Sequence, residues 1–190
     1  MTTLVKKWNE KKFSFKTGTV VTFLSVTSAV TLPWIFHFIG ALSGIGTVPG
    51  EVFLPMHIPV ILTGLFAGPL IGLISGFFSP LISFALSGMP GVAMLPFIVI
   101  ELSFYGLISG IMGNVRFPTI IKVLIAQLVG RIVKTIAILF SIYLLGNEVI
   151  HVSVIWSTVL AGLPGMLLQL VIIPLLVFRV ENRRQNNDKE

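Results

Sequence analysis

The sequence contains no cysteine and few charged side chains. The lack of cysteine in its 190 residues excludes disulfides, thiolate chemistry and cysteine-based metal sites. Asp, Glu, Lys and Arg make up 11% of the chain, whereas a soluble domain carries roughly 25%. Hydrophobic residues account for 55%. Because such a chain cannot cover its surface with polar groups, we expect lipid to be its solvent, with a single membrane domain over residues 1–190.

Motifs for catalysis and metal binding are also missing. The sequence has no GxxxxGK[ST] phosphate loop, no HExxH and no GxSxG. Its three histidines, His37, His57 and His151, are far apart and show no ligand spacing. No pair of carboxylates lies within one apolar stretch. We therefore predict that the protein is not an enzyme and that it holds neither a metal nor a cofactor.

The excess of basic residues indicates a membrane orientation, not a nucleic-acid partner. The formal net charge is +6, but the basic residues are not spread over a surface. Most of them flank the first and last apolar stretches: Lys6, Lys7, Lys11, Lys12, Lys16, Arg179, Arg183, Arg184 and Lys189. Basic ends around apolar spans are topology signals.

Glycine and proline divide the apolar sequence into six candidate transmembrane helices. The predicted spans are approximately 17–40, 55–67, 69–86, 92–113, 119–145 and 152–178. A Gly-rich connection is predicted for residues 41–53. The second span is short, and a re-entrant segment is the alternative. The string GLISG occurs at Gly72–Gly76 and again at Gly106–Gly110, but composition explains this recurrence and we infer no repeat.

The distribution of Lys and Arg supports an all-α protein with six spans and both termini in the cytoplasm. In that arrangement 11 of the 13 basic residues lie on the cytoplasmic side, and Arg131 and Lys134 lie within the fifth span. The outer connections carry Glu51 and Glu148. This asymmetry follows the positive-inside rule.

Three ionisable residues inside predicted spans are the main candidates for ligand binding: Glu101, Arg131 and Lys134. A charge at mid-bilayer costs at least ~2.5–3.5 kcal/mol, so such residues normally face the protein interior or a cavity. At ~1.5 Å per residue their depths are similar. Gln127 shares the helix face of the two bases. Either Glu101 and Arg131 form a structural ion pair, or the surplus positive charge binds an anion.

His57 and Trp156 have two interpretations each. His57, between Pro55 and Pro59, either marks the start of a helix at headgroup level or lies on the rim of a pocket. Trp156, at the start of the sixth span, either belongs to an interfacial aromatic belt or stacks on a ligand. Gln169 in the same span is interpreted as an interhelical hydrogen-bonding residue.

Small residues recur along the first span at three- and four-residue spacing. Thr22, Ser25 and Ala29 lie on one face, together with Gly18. Such a face allows another helix to approach closely. The partner is either a helix of the same chain or a second protein.

The segment LPMHIPVILTGLFAGPLIGLISGFFSPLISFALSGMP at 54–90 resembles the substrate-binding S components of energy-coupling factor (ECF) vitamin transporters. The length, six spans and basic tails are similar too. The resemblance implies a multi-pass protein of the bacterial plasma membrane that captures a B vitamin from outside. It also implies docking through the first helix onto a transmembrane coupling protein that carries two ATPase subunits. Ser25 and Ala29 stand nearest to the family's usual alanine spacing.

The identity of the vitamin is an expectation drawn from charge. The surplus base at Arg131 and Lys134 favours a carboxylate, which pantothenate provides. A vitamin B6 form is the alternative, with Glu101 facing its ring nitrogen. The alternative from another functional class is that the chain is an autonomous small carrier or a membrane scaffold.

Overall fold

The computed structural model describes residues 15–46 and 48–187, and all regular structure in these two ranges is helical. The seven helices are α1 (Phe15–Leu42), α2 (Val48–Phe53), α3 (His57–Ala67), α4 (Pro69–Ser87), α5 (Leu95–Gly113), α6 (Thr119–Tyr143) and α7 (Ser153–Asn187). Five basic residues used to predict the orientation lie outside the described ranges: Lys6, Lys7, Lys11, Lys12 and Lys189.

Five of these helices, α1, α4, α5, α6 and α7, are long and apolar enough to cross a membrane. The predicted second span corresponds to α3, an apolar helix of 11 residues. At ~1.5 Å per residue it is ~16 Å long, about half of the ~30 Å hydrocarbon core. The count of six spans therefore stays a prediction.

Two helices differ from their predicted extents. Val48–Phe53 is helical, where a connection was predicted. This short helix rests on α7, because the backbone of Val52 and Phe53 lies where a Cβ on Gly165 would stand. In addition, α7 continues to Asn187, beyond the predicted end at 178. Within this extension Glu181 is buried, whereas Arg179, Val180, Asn182 and Arg183 are exposed.

The centre of the bundle is α5, which packs against α3, α4 and α6. Its most extensive contact is with α4. Glycines allow this approach: a Cβ on Gly72 would overlap the carbonyl of Gly106, and a Cβ on Gly106 would overlap that of Gly72. The two GLISG segments therefore meet across the α4–α5 contact.

The small-residue face of α1 packs inside the chain. Ser25 and Ala29 are buried, and Ser25 Oγ lies 3.5 Å from the carbonyl oxygen of Pro59 on α3. Ala29 belongs to a core cluster with Met56, Val60 and Leu102. Thr22 is half-buried on the same side. The structure thus corresponds to the internal alternative for this face, while contact with a second protein stays a prediction.

The orientation of the bundle is testable with single cysteines, since the native chain has none. Glu148, in the α6–α7 connection, and Asn114, in the α5–α6 connection, are both exposed. We expect Glu148→Cys to react with a membrane-impermeant maleimide added to intact cells, and Asn114→Cys to react only after permeabilisation. The reverse pattern, or equal reaction at both sites, would contradict the prediction of cytoplasmic termini.

Candidate functional site

A cavity of about 460 Å³ lies at one end of the bundle. Its wall comes from the C-terminal parts of α1 and α4, the segment between α2 and α3, the connection between α4 and α5, and the N-terminal part of α7. Single residues of α2, α3 and α5 also line it, and α6 contributes Arg131 and Lys134. Most of the lining is apolar and includes Met56, Met89 and Met94. Its volume is typical of sites for small molecules.

The three charged residues predicted from the sequence meet beside this cavity, and two of them, Arg131 and Lys134, line it. Arg131 Nε lies 3.1 Å from Glu101 Oε1, and Lys134 Nζ lies 2.8 Å from Glu101 Oε2. Tyr105, one turn along α5 from Glu101, donates a hydrogen bond from its hydroxyl to Oε1 over 3.2 Å. Glu101 is 2% exposed, and it is not among the residues that line the cavity. One acid shared by two bases leaves a formal charge of +1.

Some polar atoms in this wall have no hydrogen-bonding partner within the described chain. Both ring nitrogens of His57 are buried and unpaired, and so is Nη2 of Arg131. The Arg131 Nη1 group donates to the carbonyl oxygen of Thr158 over 3.2 Å. The His57 ring packs on Tyr105, with 5.0 Å between centroids. Because an unpaired buried polar group costs ~1–3 kcal/mol, a ligand that pairs these atoms would gain that free energy.

Two predicted site residues do not line the cavity. Gln127 is fully buried and bonds to α7, with its Nε2 3.0 Å from Gln169 Oε1. Trp156 is 69% exposed, as an interfacial tryptophan would be. The structure therefore brings His57, Arg131 and Lys134 to one cavity, with Glu101 behind them, and leaves Gln127 and Trp156 outside it.

Sequence reasoning missed several cavity residues. Ser83, Ser157 and Thr158 contribute polar groups to the wall, and Pro33 and His37 contribute from α1. Tyr105 bonds to Glu101 and does not line the cavity; its role was predictable, since it lies four residues after Glu101 and thus on the same helix face. Ser83, Ser157 and Thr158 had none, because their place in the wall depends on how α4 and α7 pack against distant segments. Gly162 leaves room for the guanidinium of Arg131, which a Cβ there would overlap.

A comparison with protein families decides the class of this membrane protein. A family model described as the ECF transporter substrate-specific component matches residues 19–177. The chain belongs to this family. No curated protein and no solved structure matches it. The family match and the five apolar helices identify a multi-pass membrane protein, an S component that binds a small molecule and interacts with an ECF module. An S component is a transport subunit and not an enzyme.

Proposed function

We propose that this S component captures pantothenate from outside a bacterial cell for ATP-driven uptake. The observation that carries the proposal is the single acid shared by two bases in the cavity wall. A cavity bordered by a net positive charge favours an anion, and a carboxylate is a good hydrogen-bond acceptor for Arg and Lys. The remaining wall is mostly apolar, which suits the branched aliphatic part of pantothenate.

The position of the cavity supports capture from outside. Most of its lining lies at the end of the bundle that holds the α2–α3 segment and the start of α7, and Arg131 lines it from the middle of α6. In the predicted orientation this end faces away from the cytoplasm. A ligand that enters from the outer side therefore reaches Arg131 and Lys134 without crossing the α4–α5 contact.

A vitamin B6 form remains the second candidate, but the geometry around Glu101 favours it less. Recognition of a ring nitrogen would need a free carboxylate oxygen. Glu101 already accepts hydrogen bonds from Tyr105 and Lys134, two of roughly four acceptor positions in a carboxylate, and the guanidinium of Arg131 lies against its Oε1. Glu101 also lies behind the cavity lining. The unpaired nitrogens of His57 are the alternative contact for a neutral ligand.

Energy for uptake has to come from partner subunits. The chain has no GxxxxGK[ST] phosphate loop. We propose that it docks onto a transmembrane coupling protein that carries two ATPase subunits. With Ser25 and Ala29 packed internally, the part of α1 that remains accessible for docking is its exposed side, which includes Phe23 and Leu24.

Calorimetric titration of purified Arg131→Gln tests the proposal. The substitution removes the surplus charge and leaves Glu101 paired with Lys134, so the variant is expected to fold. Loss of a charge-assisted hydrogen bond costs ~1.5–3 kcal/mol. We therefore expect the Kd for pantothenate to rise about tenfold or more, while any Kd for pyridoxine changes little.

The matched control is Arg116→Gln, which removes a positive charge from an exposed position outside the cavity. It should leave the Kd for pantothenate unchanged. Absence of pantothenate binding to the native protein would refute the proposed vitamin. Equal affinity of the native protein and Arg131→Gln would show instead that the charged cluster is structural.

A further inference from the structure

Two glutamines form a chain of hydrogen bonds from α6 through α7 to the segment between α2 and α3. Gln127 and Gln169 are both fully buried. Gln127 Nε2 donates to Gln169 Oε1 over 3.0 Å and to the carbonyl oxygen of Met166 over 3.3 Å. Gln169 Nε2 donates to the carbonyl oxygen of Leu54 over 3.2 Å. The last bond joins residues that are 115 positions apart.

The acceptor of that bond lies in an unusual backbone conformation. Leu54 has a φ of 49°, in the left-handed region that L residues with a branched side chain rarely adopt. Its carbonyl oxygen also accepts from the backbone N–H of His57 over 3.1 Å. Its side chain lies beside Gly162, where a Cβ would approach Leu54 Cδ1 to 3.1 Å. Such a conformation persists only where the surrounding structure holds it.

The segment that contains this strained residue forms part of the cavity wall. Leu54, Pro55, Met56 and His57 all line the cavity. Gln169 does not line it. The hydrogen bond to the Leu54 carbonyl is the direct contact of the Gln169 amide with a residue that lines the cavity.

We infer that Gln169 is a positioning residue for the cavity: its bond to the Leu54 carbonyl holds the segment 54–57 in place as a wall. Hydrogen bonds between glutamines in membrane helices commonly serve only to join the helices. The Gln169 bond differs because it ends on a strained, non-helical peptide at the cavity. The inference extends the proposed function, since it takes this cavity as the ligand site.

The reactivity of a single cysteine in the cavity wall measures how firmly the segment 54–57 is held, without any ligand. Met56 is 9% exposed and lines the cavity, so Met56→Cys should react slowly with a small maleimide in the otherwise cysteine-free chain. Adding Gln169→Met removes the two hydrogen bonds of the Gln169 side chain, to Gln127 and to Leu54, but keeps an unbranched side chain of similar length. We expect the reaction at position 56 to become about three- to tenfold faster, as the loss of one net hydrogen bond implies.

Two controls separate local positioning from general loosening of the fold. Ala126 is fully buried and does not line the cavity, so Ala126→Cys should react at the same rate with and without Gln169→Met. Gln127→Met leaves the bond from Gln169 to Leu54 in place and should speed the reaction at position 56 less than Gln169→Met does. An unchanged rate at position 56, a parallel rise at position 126, or a larger effect of Gln127→Met would overturn the inference.

Pantothenate supplies a second, independent measurement. Gln169→Met should increase the dissociation rate of pantothenate by a similar three- to tenfold, with a smaller change in the association rate. If pantothenate does not bind to the native protein, the proposed vitamin is wrong, while the labelling rates still decide the role of Gln169.

Discussion

Replacing Glu101 with glutamine is expected to destabilise the protein by about 3–5 kcal/mol. Glu101 carries the one negative charge in the buried cluster, and both of its oxygens are in use. Without that charge, Arg131 and Lys134 would stay buried with a formal charge of +2. A loss of this size is a large part of the roughly 5–15 kcal/mol by which folded proteins are stable.

The measurement is the midpoint of thermal unfolding in detergent, compared among four variants. Glu101→Gln should show the largest fall. The double variant Glu101→Gln with Lys134→Gln restores the native formal charge of +1, so it should recover much of the loss. Arg131→Gln alone leaves one acid with one base and should be tolerated. If the effects of Glu101→Gln and Lys134→Gln simply add, the two residues are not coupled and the ion cluster has no stabilising role.

Ligand binding provides a second measurement on Glu101→Gln. An anion in the cavity would offset part of the charge left by Glu101→Gln, so pantothenate affinity should hold or rise in the fraction that folds. Since a ligand that binds only the folded state stabilises it, pantothenate should raise the unfolding midpoint of this variant at least as much as that of the native protein. A drop in affinity would instead favour direct contact between Glu101 and the ligand.

Several boundaries of the long helices are marked by local signals in the sequence. Gly68 and Pro69 separate α3 from α4, and Pro118 precedes α6. Backbone preferences at such positions need no knowledge of the rest of the fold. The helix α2 was missed because six residues are too few to show an apolar periodicity, and its contacts with α7 join segments that are far apart in the chain.

The charged part of the site was predictable and the rest of the cavity was not. The cost of burying Glu101, Arg131 and Lys134 in an apolar span indicates a shared interior, and helical rise places them at similar depth. Most of the remaining wall comes from the ends of α1 and α4, two connections and the start of α7. Their meeting depends on packing between distant segments, which periodicity does not encode.

The small-residue face of α1 is a second case in which the sequence pattern does not identify the packing partner. The spacing of Ser25 and Ala29 indicates close approach by another helix, and both residues do pack closely against the bundle. Spacing alone does not distinguish a helix of the same chain from a partner's helix. That distinction requires the position of α3, whose Pro59 carbonyl lies beside Ser25.

The second large loss of stability is expected when a side chain is added at the contact between the two GLISG segments. A Cβ at position 106 would overlap the backbone carbonyl of Gly72. Backbone atoms of a helix cannot move aside as the end of a flexible side chain can, so α4 and α5 would have to separate. Because α4–α5 is the most extensive contact in the bundle, the whole core would be disturbed. Overpacking typically costs ~1–3 kcal/mol, and we expect Gly106→Ala to cost about 3 kcal/mol, with Gly106→Leu failing to fold.

Gly91→Ala is the matched control for this effect. No atom lies within 4 Å of a Cβ placed on Gly91, so the same chemical change should leave the unfolding midpoint nearly constant there. Gly72→Ala adds a Cβ at the same contact from the α4 side, and it should lower the unfolding midpoint about as much as Gly106→Ala does. Once one alanine has separated the helices, adding the other should cost less than it does alone. If Gly106→Ala unfolds at the native midpoint, α4 and α5 are not in backbone contact at Gly72 and Gly106.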